Sequence, residues 1–210
     1  FPSIKGVIKQ FAPDIVGVNS MFTRQRENAH KIYELAKDVD SDIITIAGGP
    51  HPSAMPDLVL EDKNVDFAVL GEGEETIIQL IDYLEGKVEA NVFNGIAYRE
   101  FDGLAYGEKE KNVIIPKTQF IEDLDSLPFP AWHIMKLEKY FGLEASHGLR
   151  KKQRFSPILT SRGCPAKCTF CTAYLSTGRK YRYRSPENVI EEIRQLKKLY
   201  NIEELMFEDD

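Results

Sequence analysis

Apolar positions fall into two alternating patterns along the first half of the chain. Asp14–Val18, Ile43–Ala47 and Asp66–Leu70 are short, nearly continuous apolar runs, as expected of strands buried on both faces. Between them, Arg24–Val39 sets Ala29, Ile32, Tyr33 and Ala36 at helical spacing. Ser53–Glu61 predicts a short helix. Glu74–Gly86 predicts a third, with Ile77, Ile81 and Leu84 inward and Gly86 as its stop signal. Strands and helices in alternation predict an α/β fold with a parallel sheet covered on both sides.

The pattern changes near Asn91. Gly95–Arg99 and Leu104–Tyr106 flank Asp102-Gly103, a hairpin signal, and Val113–Ile115 offers an edge strand. Asp123–Met135 carries Pro128 and Pro130 with little periodicity and reads as a connection between two domains. A strand is then expected over Pro157–Thr160. Ser185-Pro186 should open a helix whose apolar stripe is Val189, Ile193, Leu196 and Tyr200, and Glu204–Phe207 should be a further strand. The expected division is 1–120, an α/β domain; 121–150, a Pro-rich linker; and 151–210, the start of a second domain.

Length and charge narrow the classes. The chain has 210 residues, 42% of them hydrophobic, and a net charge of −6, which suits one large or two modest folded domains and argues against disorder. No apolar run approaches the ~18–20 residues a membrane helix needs, and no signal peptide is visible. There is no initiator Met, and Glu208-Asp209-Asp210 follows an apolar run directly. Both ends therefore read as cut, and a fragment is expected.

The three cysteines, Cys164, Cys168 and Cys171, share one eight-residue window. An odd number so closely spaced is no disulfide framework. Grouped thiols point instead to a metal or cluster site in a reducing, cytoplasmic setting. The spacing C-x3-C-x2-C can hold three irons of a cubane and leave the fourth open, whereas ferredoxin cubanes are closed by a fourth Cys. Zinc competes through Cys3His ligation, but His147 lies seventeen residues before Cys164 and no His follows. From Ala145 to Pro186 there are ten Lys or Arg and no Asp or Glu, leaving the remainder of the chain at −16. Such a basic stretch suits an anionic site.

Thr160-Ser161-Arg162-Gly163-Cys164-Pro165, the cysteine spacing behind a strand, and Phe170 just before the third Cys together resemble the radical SAM superfamily. The resemblance implies a 4Fe-4S cluster on Cys164, Cys168 and Cys171, with S-adenosyl-L-methionine on its open iron and Phe170 near the adenine. It also implies reductive cleavage to a 5′-deoxyadenosyl radical. The family core is a partial or full βα barrel, and a complete barrel takes about 200 residues or more. The residues after the linker suffice for its first βα units only. Glu208, Asp209 and Asp210 stand where such enzymes can contact the amino group of S-adenosylmethionine.

In the first domain, ligands are expected at the carboxyl ends of the parallel strands. Three loops qualify: Asn19–Phe22, Gly48–His51 and Gly71–Glu75. The last is acidic and no phosphate loop, and no G-x-G-x-x-G is present. Ser20-Met21-Phe22 followed by Gly48-Gly49 resembles the Ser-x-Leu and Gly-Gly motifs of the cobalamin (B12)-binding domain that precedes many radical SAM cores. That resemblance gives Ser20, Gly48 and Gly49 as cobalamin contacts and leaves the lower axial ligand of cobalt open. His51 is expected to cap the next turn, the alternative implied by the resemblance being contact with the corrin tail or a propionamide.

The chain thus resembles a Rossmann-like cobalamin-binding domain followed by the start of a radical SAM partial barrel. The implied activity is methylation of an unactivated carbon, on a small-molecule substrate, with electrons from a donor such as flavodoxin or ferredoxin; nucleic acid and membrane partners are not expected. A tRNA methylthiotransferase is the alternative within the superfamily, but it needs three more cysteines in the first domain. A non-enzymatic iron–sulfur or cobalamin-binding sensor is the alternative outside it.

Overall fold

The computed structural model describes residues 2–100, 111–143 and 151–209. Asp102-Gly103, Leu104–Tyr106, His147 and Asp210 lie outside them. The chain divides into two compact units: residues 1–120 with 167–178, and residues 121–166 with 179–210.

The first unit is built on a five-stranded sheet in the order β1-β2-β3-β4-β5. Its strands are β1 (Ile15–Asn19), β2 (Ile44–Gly48), β3 (Phe67–Val69), β4 (Ile96–Glu100) and β5 (Lys111–Ile115). β1, β2 and β3 run parallel, while β4 and β5 pair antiparallel. The sheet is therefore mixed rather than wholly parallel. β4 does gain an antiparallel neighbour after the Asp102-Gly103 turn signal, and that neighbour is the expected edge strand. β1 is an edge strand with no residue fully buried, because it has a partner on one side only.

Alternation along the strands splits the core into two layers. Ala47, Ala68 and Ala97 face Ala29 and Tyr33 of α2 (Arg26–Val39) and Val59 and Leu60 of α4 (Pro56–Leu60). Ile46, Val69 and Ile96 face Leu80 and Ile77 of α5 (Glu74–Leu84) on the other side. Small residues on one face let helices approach closely, and large ones fill the other. The helix expected over Ser53–Glu61 is two short ones, α3 (Pro50–Ala54) and α4, since Pro56 cannot continue α3 and instead opens α4. Arg99 of β4 ties this region down. Its guanidinium donates to the carbonyls of Leu60, Asp62, Lys63 and Val65 at 2.5–3.3 Å, capping the end of α4. A helix that periodicity near the chain start did not single out, α1 (Pro2–Phe11), packs Ile4 and Ile8 against Ala36, Ile43 and Val16.

The second unit contains the parallel pair β6 (Phe155–Ile158) and β9 (Glu204–Phe207), with α7 (Pro186–Tyr200) lying between them in sequence. A two-residue antiparallel pair joins β7 (Ser161–Arg162) to β8 (Arg182–Tyr183). Ser185 caps α7 as expected, its hydroxyl accepting from the Asn188 amide at 3.2 Å. The stripe of α7 packs through Leu196 and Tyr200 against Trp132, Leu137 and Ile202. The Pro-rich segment therefore supplies core side chains to this unit. Among the described residues no helix is long and apolar enough to cross a membrane.

Candidate functional site

Two loops at the carboxyl ends of β1 and β2 meet. Asn19 is in register with Gly48. The Ser20 amide donates to the Gly48 carbonyl at 2.8 Å, and the His51 amide donates to the Ser20 carbonyl at 3.0 Å. Ser20 is 2% exposed. Sequence-predicted Ser20, Gly48 and Gly49 are thus brought together, and the two glycines serve differently. Gly49 has φ +96°, and a Cβ there would lie 1.9 Å from Asn19 Oδ1 and 3.0 Å from the Ser20 carbonyl, so only glycine fits. A Cβ on Gly48 would meet nothing within 4 Å; its backbone borders open space. Ser53 braces the loop, donating to the Gly49 carbonyl at 2.9 Å and accepting from the Gly71 amide at 2.8 Å.

His51 does not cap the next turn as expected: it lies inside α3, whose N-cap is Gly49 and carries no side-chain cap bond, and its ring turns to Thr23 instead. It is 3% exposed, and its Nδ1 lies 3.1 Å from Thr23 Oγ1. Its Nε2 is buried and has no hydrogen-bond partner among the described residues. Burial pushes its pKa down, and His30 and Arg26 push the same way.

Lys117, which sequence reading passed over, sits beside the third loop. A Cβ on Gly71 would lie 2.8 Å from Lys117 Cγ, and Lys117 Nζ donates to Thr76 Oγ1 at 3.1 Å. Burial lowers its pKa, opposed by Glu75, Glu72 and Glu74. No local periodicity marks such a residue, because its partners come from strand ends far away in sequence.

Residues 167–178 belong to the first unit. They carry Cys168, Phe170 and Cys171 and end in α6 (Ala173–Thr177), which packs on α3. The Cys171 amide donates to the Cys168 carbonyl at 3.3 Å, and the Ala173 amide points at Cys171 Sγ across 3.4 Å. Cys168 is exposed, Cys171 half-buried and Phe170 89% exposed. Cys164 belongs to the second unit, directly after β7 and Gly163, and is half-buried. All three cysteines are free thiols. Among the described residues no three His, Cys, Asp or Glu side chains are already gathered as a metal-holding group.

In the second unit Asp209 is committed to the fold. It accepts from the Thr160 amide and hydroxyl, both at 2.6 Å, and from the Ser161 amide at 2.8 Å. Burial works to raise its pKa, but these bonds to the carboxylate outweigh burial and hold it low. Much of the basic stretch is also engaged. Arg182 is 4% exposed and donates to the Ile121 carbonyl at 2.6 Å. Arg184 pairs with Glu192 at 2.5 Å, Lys180 pairs with Glu122, and Arg179 donates to the Ala166 carbonyl at 2.7 Å. These cations shape loops at least as much as they set a local potential.

The donor chemistry suits the groups that the sequence implies. Three thiols without a fourth match a cubane with one open iron. At the β1 and β2 ends, the Gly48 backbone borders open space and the buried His51 Nε2 has no hydrogen-bond partner among the described residues, which is compatible with a bound polar cofactor.

Known proteins share these features. The B12 binding domain model matches residues 3–81, and the Radical SAM superfamily model matches residues 158–209. The cytidylyl-2-hydroxyethylphosphonate methyltransferase of Streptomyces wedmorensis is 37% identical over 97% of this chain and 41% of its own length. The anaerobic magnesium-protoporphyrin IX monomethyl ester cyclase of Rubrivivax gelatinosus is 34% identical over 95% of this chain and 34% of its own. The chain thus spans less than half the length of these relatives. The cobalamin-dependent S-adenosylmethionine radical enzyme OxsB, solved with aqua-cobalamin and S-adenosylmethionine bound, superposes with a TM-score of 0.77 at 23% identity, over 100% of this chain and 27% of its own. A B12-binding α/β sheet ahead of a radical SAM cysteine loop, matched in that order along one chain, makes this chain a member of the cobalamin-binding radical SAM family.

Proposed function

We propose that the protein carrying this chain is a cobalamin-dependent radical SAM enzyme. It cleaves S-adenosylmethionine reductively at a 4Fe-4S cluster and methylates an unactivated carbon of a small-molecule substrate. One observation carries the reading: a single chain joins a ligand-ready pair of strand ends, at Ser20 and Gly48-Gly49, to a three-thiol loop with no fourth cysteine. Methyl transfer is preferred over ring closure because the relative with 37% identity is named a methyltransferase, and a hopanoid C-3 methylase and a bacteriochlorophyllide methyltransferase are also similar. The absence of further cysteines disfavours a methylthiotransferase.

Cys164, Cys168 and Cys171 would hold the cluster as thiolates, each giving up its proton on binding iron. The Ala173 amide, aimed at Cys171 Sγ, would stabilise negative charge on that sulfur. Ser20 and Gly48-Gly49 would receive cobalamin, the buried Ser20 orienting it and Gly48 leaving room for it. Phe170, exposed beside Cys171, would contribute an apolar surface to S-adenosylmethionine binding. When bound, these groups supply one-electron chemistry and a transferable methyl group. Residues 1–120 would form the cobalamin-binding part, 121–150 the link and 151–210 the opening of the radical SAM core. Electrons would come from a flavodoxin or ferredoxin, in the reducing cytoplasm where free thiols persist.

Anaerobic reconstitution with iron and sulfide, followed by EPR of the reduced chain with and without S-adenosylmethionine, tests the reading. A cubane signal that changes on adding S-adenosylmethionine is the expected result. A cubane indifferent to it would overturn the radical SAM assignment, and failure to retain hydroxocobalamin would overturn the cobalamin assignment.

A further inference from the structure

We propose that His51 is a cofactor-contacting residue, its Nε2 hydrogen-bonded to a polar group of the cobalamin bound at the carboxyl ends of β1 and β2. The inference rests on the cobalamin reading above.

His51 is 3% exposed, held by its amide to the Ser20 carbonyl at 3.0 Å and by Nδ1 to Thr23 Oγ1 at 3.1 Å. A neutral imidazole has one donor and one acceptor nitrogen, and a histidine serving only the core has both satisfied. Here the second nitrogen, Nε2, is buried without a partner among the described residues. Turning the ring to find Nε2 a partner would break the bond that Nδ1 makes to Thr23. Nor does protonation help, because burial and the neighbouring His30 and Arg26 disfavour the charged form. Three residues upstream in the same loop, the backbone of Gly48 borders space that even a Cβ would leave empty. An orphaned nitrogen on a ring held at its other nitrogen, three residues from an open stretch of backbone, is what a binding site looks like before its ligand supplies the missing bond. The nucleotide tail and the amides of the corrin ring both offer suitable groups.

His51→Asn and His51→Gln separate the two nitrogens. The Asn amide reaches the Nδ1 position and keeps the Thr23 contact, whereas the Gln amide reaches the Nε2 position. Titrating the full chain with hydroxocobalamin, followed by absorbance, should show H51N binding about tenfold more weakly and H51Q close to wild type. Dicyanocobinamide, which lacks the nucleotide, locates the partner. A loss confined to cobalamin assigns the contact to the nucleotide tail, and a loss for both assigns it to a corrin amide. Equal affinities for wild type and H51N would overturn the inference while leaving the cobalamin reading intact. A wild type that binds no cobalamin would instead overturn that reading. Thermal melts establish that the variants fold. The isotope-labelled imidazole nitrogen shift of unsubstituted His51 needs no variant, since it must move on adding hydroxocobalamin if the bond forms.

Discussion

His51 hangs from Ser20: its amide donates to the Ser20 carbonyl at 3.0 Å, fastening the turn after β2 to the turn after β1. Both turns leave neighbouring parallel strands, so one backbone bond closes the floor of the candidate cobalamin site. The intervening glycines decide whether that bond can form.

Gly49 and Gly48 should respond in opposite ways. Gly49→Ala forces a Cβ against Asn19 Oδ1 and the Ser20 carbonyl at a positive φ and should cost about 2 kcal/mol of stability. Gly48→Ala meets nothing within 4 Å and should leave stability within about 0.5 kcal/mol, yet weaken hydroxocobalamin binding by intruding on the open space. Urea unfolding and absorbance titration on both variants check the pair. A G48A protein that binds as wild type does would remove Gly48 from the site.

The second unit has its own buried polar knot. Trp132 Nε1 donates to Glu192 Oε1 at 2.9 Å, and Arg184 pairs with Glu192 Oε2. Glu192→Ala would leave an arginine charge and an indole N–H without their partner and should cost about 3 kcal/mol. Glu192→Gln keeps an acceptor for the indole and should cost less. Denaturant melts order the two, and equal costs would show that the charge pair, rather than the indole bond, dominates.

Stability should fall on the acid side through His51. Its folded pKa lies below the ordinary 6.5, chiefly because it is buried. Between those two values the unfolded chain carries a proton that the folded chain refuses, so stability rises with pH across that window. His51's contribution is intact above 6.5 and erodes as pH drops toward the folded value. Urea midpoints measured from about pH 7.5 to about pH 5 should decline, and H51Q, which does not titrate there, should flatten part of the decline. An unchanged slope in H51Q would assign the acid sensitivity to other groups.

Cys164→Ser, Cys168→Ser and Cys171→Ser should each abolish the reconstituted cubane, measured as iron and sulfide per chain and by EPR. His147→Ala should retain it. Loss of metal in H147A, with zinc bound in place of iron, would favour the Cys3His alternative.

How far the chain can be read without its fold differs from place to place. The Ser185 cap and the α7 stripe depend on side chains within a few residues of one another, so spacing alone revealed them. The split of Ser53–Glu61 at Pro56 is local too and was within reach. By contrast, Val113–Ile115 reads in the sequence only as an edge strand, and the antiparallel register that sets Ile96 opposite Ile115 exists only in the folded sheet.

The amino-acid sequence by itself determined the α/β alternation, the three-thiol loop and the glycine pair, because periodicity and ligand spacing are short-range properties. Tertiary structure alone decided what those residues face. It set Ser20 beside Gly48 across two strands, reserved Gly49 for close backbone approach and Gly48 for open space, and committed Asp209 and Arg182 to carbonyls and amides of the fold. It also left one nitrogen of His51 without a partner. Each of these depends on atoms brought together from distant parts of the chain, and burial is what makes an unmet hydrogen bond costly enough to carry meaning.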